Sequence, residues 1–163
     1  MWNPFKPKIE NSDPGQRSLQ LISQKGMPFA YVEAYKSLRT NLNFLTSSTG
    51  ARAIVVTSTM PEEAKSNVSV NLALTLAEDG KNVALVDCDL RKPACCKILD
   101  LAWTGSGTAD AARGITEAQK AARAYGEGPS PHLLLGARSG HGSAEIAPPG
   151  GMAALIAWAK GPY

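Results

Sequence analysis

The order of elements predicts an α/β fold, a three-layer sandwich around a mainly parallel sheet. Two short apolar runs carry that prediction, AIVVTS at 53–58 and NVALVDCD at 82–89. Both read as strands buried on two faces, the pattern of a parallel sheet covered by helices on each side. Between them lies a helical stretch, so strand, helix and strand follow one another as in a βαβ unit.

Taken in order, residues 1–27 are rich in Pro, Lys, Asn, Ser and Gly, lack periodicity, and read as a flexible leader. A folded domain is expected from 28 to 163. Its first helix spans about 28–47, where Val32, Tyr35, Leu38, Leu42 and Leu45 recur every three or four residues as one apolar stripe. Pro28 suits its first turn, and Thr49-Gly50 closes the unit. After the run at 53–58 comes a polar turn, TMPEEAKSN, and then a helix carrying Val68, Val70, Leu72, Leu74 and Leu76, which Gly80 stops. Beyond the second run the pattern weakens, with a short helix near 116–124 and a third strand, HLLLG, at 132–136. A Gly/Pro-containing loop over 139–151 leads to a last helix, GMAALIAWAK, at 151–160.

Composition narrows the function classes. The chain has 163 residues, 44% hydrophobic and 19% charged, a globular balance for one domain. A net charge of +3 from scattered basic residues gives no footprint for nucleic acid. No window is apolar over the roughly 18 residues a membrane span needs, so direct membrane insertion is not expected. The start, MWNPFKPKIENSDPG, has charges and prolines where a signal peptide is apolar. Cys88, Cys95 and Cys96 are odd in number and two are adjacent, so they read as reduced thiols of a cytosolic protein. His132 and His141 show no spacing that matches a metal site with them.

The turn after the first apolar run is where phosphate chemistry belongs. A loop between strand and helix brings backbone N–H groups and a helix N-terminus to one point, and both attract phosphate oxygens. In the register of the phosphate-loop motif G-x-x-x-x-G-K-[ST] the residues are Thr59, Met60, Pro61, Glu62, Glu63, Ala64, Lys65 and Ser66, followed by Asn67. Lys65 would neutralise the β- and γ-phosphates of ATP, and the Ser66 hydroxyl would hold Mg²⁺. Asp87 and Asp89 end the next strand. Spaced by two, they point to one face, so both can reach one ion and activate an attacking hydroxyl.

Together, TSTMPEEAKSNVSVNLALTLAEDGKNVALVDCDLRKP resembles the core of the bacterial tyrosine kinases that control capsule and exopolysaccharide synthesis, members of the P-loop NTPase superfamily. That family has a TS-x-x-PGEGKS-like loop, then NLA, then VLLVDADLRKP, its Walker A′ motif. VEAYKSLRTNLNF is similar to the family's EAYRSLRTN helix, whose E-x-x-R-x-x-R motif serves ring-like self-association; the matching residues are Glu33, Lys36 and Arg39. The resemblance covers about 28–160. It implies an ATP-dependent protein-tyrosine kinase that phosphorylates the tail of a sister subunit. It further implies a cytoplasmic location beside the membrane, through a membrane-anchored activator of the polysaccharide co-polymerase type. MinD/ParA-like ATPases share the fold, but their signature lysine, five positions before the loop lysine, is Met60 here. A non-catalytic interaction module is the other alternative.

The chain departs from the family pattern in three places. Glu62 and Ala64 stand where the family has loop glycines, which admit positive φ and close approach of phosphate. Like charges ~4 Å apart repel by about 4 kcal/mol at an effective dielectric of ~20, so Glu62 and Glu63 oppose a polyanion. Lys36 replaces an arginine and loses its bidentate fork. The family's Walker B strand is expected just after Tyr163, and its tyrosine-rich tail beyond that; Tyr31, Tyr35, Tyr125 and Tyr163 are dispersed. These departures imply a domain truncated before Walker B, with little kinase activity of its own.

Overall fold

A computed structural model describes residues 20–46, 53–90, 92–101, 107–114, 118–126, 128–136 and 150–161. The first part of the expected leader, Thr49-Gly50, most of the 139–151 loop and Tyr163 lie outside the described residues.

Helix α1, Phe29–Thr46, begins one residue after Pro28, and α2 is Lys65–Glu78. Gly80, at φ 77°, ends α2: its N–H donates to the Ala77 carbonyl, and Lys81 N–H returns to that of Leu76 at 3.2 Å. Three strands form one sheet in the order β1-β3-β2: β1 Ala84–Val86, β2 Arg123–Ala124 and β3 His132–Leu134. β1 and β3 are parallel, with Leu85 opposite Leu133, and β2 is antiparallel to β3. The sheet is therefore mixed, where a mainly parallel one was expected. The short helices α3 Cys95–Ile98 and α4 Thr108–Ala112 were not expected from the sequence pattern, whereas α5, Ala118–Ala121, lies within the short helix expected near 116–124, and α6, Gly151–Ala159, falls where it was expected.

Alternation along the strands separates two cores. Leu85, Leu133 and Leu135 pack with Val70 and Leu74 of α2 and Ile98 of α3. Val86 and Leu134 pack on the other side with Ala112, Ala121 and Leu155 of α4, α5 and α6. Helices thus cover both sheet faces, with α1 lying outside α2. Two close approaches set the outer layers. A Cβ on Gly151 would stand 2.2 Å from the Ala112 carbonyl oxygen, and one on Gly136 would stand 2.4 Å from Pro93 Cβ. Both positions therefore require glycine.

Two expectations need correction. Residues 53–58 form no strand, and Val55 is 85% exposed. The described sheet ends at β1 on one side and at β2 on the other, and residues 53–58 pair with neither edge. A strand pattern without a partner leaves an extended, solvated chain. At the other end, Leu21 and Ile22, which fall in the expected leader, sit in the core against Val70 and Leu74. The α1 stripe is also only partly used: Tyr31 and Tyr35 pack inward edge to face at 5.3 Å, but Leu45 is 81% exposed.

Candidate functional site

The turn from Ser58 to Ala64 leads into the N-terminus of α2. Glu62 has φ 65° and Ala64 φ 62°, both in the left-handed region, and they are the two positions where glycine was expected. The loop thus keeps a glycine-type backbone although its residues carry Cβ atoms. Each such residue costs about 1–2 kcal/mol relative to the right-handed region. Left-handed residues alternating with ordinary ones turn successive N–H groups toward one concavity, the geometry that receives anions. The Ala64 carbonyl accepts from Val68 N at 2.9 Å and so opens the helix. Within the turn, Ser58 Oγ donates to the Met60 carbonyl at 2.9 Å. Glu63 Oε2 accepts from Met60 N at 3.2 Å and from Thr59 Oγ1 at 3.4 Å.

Lys65 starts α2, and its Nζ lies 3.9 Å from Asp89 Oδ2, both side chains being about one-third exposed. The segment after β1 and the start of α2 therefore come together. The two aspartates are not equivalent. Asp87 is 5% exposed, and each of its oxygens already accepts a backbone N–H: Oδ1 from Asp89 at 3.1 Å and Oδ2 from Cys95 at 3.2 Å. It braces the chain from the end of β1 to α3. Asp89 uses Oδ1 on Lys92 N at 3.0 Å and leaves Oδ2 toward Lys65. Burial, and next to it the Asp87 charge, push the thiols of Cys88, Cys95 and Cys96 up, so all three stay protonated beside the site.

Among the expected interface residues, Lys36 Nζ donates to Glu33 Oε1 at 2.9 Å along the helix. Arg39 turns inward to the end of α2, where it donates to the Thr75 carbonyl at 3.0 Å and lies 3.6 Å from Asp79. The three do not form one outward row.

The sequence reading missed a buried polar ridge. Asn67, Asn71 and Thr75 recur every four residues on α2, a period that marks one helix face. Asn71, 0% exposed, accepts from Ile22 N at 2.8 Å and donates to the Gln20 carbonyl at 2.8 Å. Tyr31 Oη lies 3.0 Å from the Gln20 carbonyl and 3.2 Å from Asn67 Oδ1. The ridge ties residues 20–22 and α1 to the first turn of the loop helix. Polar residues at i, i+4, i+8 inside an otherwise apolar helix are the signal that points to it.

Comparison with known proteins matches this arrangement. The model of the CobQ/CobB/MinD/ParA nucleotide binding domain matches residues 54–103, which hold the loop, α2, β1 and both aspartates. Tyrosine-protein kinase YwqD of Bacillus subtilis (strain 168) is 43% identical over 61 residues, 37% of this chain and 26% of that protein. Over the stretch that holds the loop, α2 and β1, the chain is similar to bacterial tyrosine kinases, among them proteins named for exopolysaccharide and capsule loci. Putative tyrosine-protein kinase EpsB of Ralstonia solanacearum is 39% identical over 77 residues, 47% of this chain and 10% of that protein. The kinase domain of Escherichia coli tyrosine kinase ETK superposes with a TM-score of 0.60 at 24% identity, over 88% of this chain and 55% of that domain. That likeness shows the shared α/β, P-loop NTPase-like fold. The chain spans about a quarter of the first of these relatives and a tenth of the second. Among the described residues, no helix is long and apolar enough to cross a membrane.

Proposed function

We propose that this domain binds Mg-ATP at the 59–67 loop as a protein-tyrosine kinase of surface-polysaccharide synthesis, and that its own phosphotransfer is weak. One observation carries the reading. The loop holds left-handed backbone at Glu62 and Ala64 and presents Lys65 beside Asp89 at the start of a 14-residue helix. That arrangement fits a chain of phosphates: N–H groups in a concavity, a helix N-terminus and one ammonium converge.

For a divalent ion, the fitting residues are Ser66 and Asp89. Asp87 would act by holding the turn that carries Asp89. Bound ATP supplies the phosphoryl group, and Mg²⁺ neutralises its charge. Lys65 neutralises and orients the phosphates. The Ala64 Cβ and the nearby glutamates oppose close approach, which is why the reading gives weak binding and slow transfer.

Family likeness supports the remaining assignments. The acceptor would be a tyrosine of a sister subunit. The partner would be a membrane-anchored activator of the polysaccharide co-polymerase type, placing the domain at the cytoplasmic face. Self-association would use Glu33 and Lys36, with Arg39 holding α1 on α2 from within. A non-catalytic interaction module is the second reading, favoured by the strained, glycine-free loop.

Calorimetric titration with ATP, with and without Mg²⁺, tests the proposal. The expected result is weak binding that depends on Mg²⁺ and vanishes in Lys65→Met. Incubation with labelled Mg-ATP and a tyrosine-bearing tail should yield phosphotyrosine close to the Lys65→Met level. Absence of any nucleotide binding would leave the interaction module as the function.

A further inference from the structure

We propose that Glu63 is a positioning residue of the phosphate loop, holding by a carboxylate bridge a backbone shape that its left-handed residues do not favour. The proposal rests on the nucleotide reading above and adds to it a role for one side chain. The loop must place Glu62 at φ 65° and Ala64 at φ 62°. Neither residue has the freedom of glycine there, so the turn needs a bond from elsewhere. Glu63 lies between the two, and its side chain folds back over the turn. Its Oε2 meets Met60 N at 3.2 Å and Thr59 Oγ1 at 3.4 Å, closing residues 59–63 into a ring. A charged acceptor makes such bonds stronger than a neutral one.

The same carboxylate also sets a negative charge near the phosphates. Glu63 therefore acts in two opposed ways, and two substitutions separate them. Glu63→Gln keeps an acceptor oxygen and removes the charge. Glu63→Ala removes both. Glu62 is exposed, and no described hydrogen bond ties its carboxylate. It serves as the matched charge without a bridge.

The experiment uses the full 163-residue chain. Fluorescent Mg-ADP affinity is measured for the wild type, Glu63→Gln, Glu63→Ala, Glu62→Gln and Glu62→Ala, after melting curves establish that each is folded. Glu63→Gln should bind at least as tightly as the wild type. Glu63→Ala should bind about fivefold more weakly than Glu63→Gln, the worth of one ordinary hydrogen bond. The two Glu62 variants should match each other. Equal affinities for Glu63→Gln and Glu63→Ala would overturn the proposal and leave Glu63 a plain repulsive charge.

Amide exchange at Met60 without nucleotide gives an independent reading. It should be faster in Glu63→Ala than in Glu63→Gln, and equal rates overturn the bridge. If no variant binds nucleotide, the proposed function falls, and the Met60 exchange rates alone decide the bridge.

Discussion

Replacing Glu62 and Ala64 together by glycine should raise both the stability of the domain and its affinity for nucleotide. The two residues hold φ values of 65° and 62°. A non-glycine residue in that region costs about 1–2 kcal/mol. Glycine there removes the strain but returns about 0.5–1 kcal/mol through its larger unfolded entropy. The net gain is then about 0.5–1 kcal/mol per site, or about 1–2 kcal/mol for both. In a chain of this size each kcal/mol moves the melting point by roughly 2–4 °C, so the double variant should melt roughly 3–6 °C higher. On the ligand side, Glu62 points into solvent, and a solvated charge ~4 Å from a phosphate repels it by only about 1 kcal/mol. Loss of that charge and of the Ala64 Cβ should tighten Mg-ATP binding at least tenfold, about 1.4 kcal/mol. Calorimetric melting and titration measure the two effects separately. A lower melting point in the double variant would refute the strain. A higher one with unchanged affinity would show that the missing glycines are not what limits binding.

Asn71→Ala should cost about 1–3 kcal/mol in urea unfolding, because it leaves the buried Ile22 N without its acceptor and removes one of the donors to the Gln20 carbonyl, which keeps Tyr31 Oη; an unchanged midpoint would remove the ridge from the account of stability. Burial raises Tyr31 to about 12, from an ordinary 10, so its contribution is intact below pH ~10 and lost as pH rises through ~12. Tyr31→Phe should flatten the fall in stability over that window, and an equally steep fall in the variant would refute the assignment. Val55→Lys should change stability by less than about 0.5 kcal/mol and reduce aggregation, whereas Leu133→Ala should cost about 2–5 kcal/mol, since Leu133 is 1% exposed.

Features set by contacts near in sequence were legible beforehand. Helix α2, its stop at Gly80, β3 within HLLLG and α6 all follow from periodicity, a glycine able to take φ 77° and short apolar runs. The sequence reading placed Lys65 and Asp89 at one site but did not single out their approach to 3.9 Å. The inequality of the aspartates was not legible. A spacing of two shows that Asp87 and Asp89 share a face, but Asp87 is held by the N–H of Cys95, eight residues on, a contact no local pattern encodes. Arg39 failed as an outward residue for the same reason: its partner, the Thr75 carbonyl, lies 36 residues away on another helix.

Residues 53–58 mark the deeper limit of pattern reading. A run of β-branched residues records an environment the segment suits, buried on two faces, and not the presence of neighbours that supply it. Among the described residues the sheet runs β1-β3-β2, and 53–58 join neither of its outer edges. The apolar run is left extended, with Ile54 48% and Val55 85% exposed. The loop behind it nevertheless adopts its left-handed turn and brings Lys65 to Asp89. The 58–64 turn therefore owes its shape to the packing of α2 on the sheet and to bonds inside the turn, and it forms without strand pairing of the run before it. Within the turn, bonds such as those of Glu63 to Met60 N and Thr59 Oγ1 then weigh directly on its backbone shape.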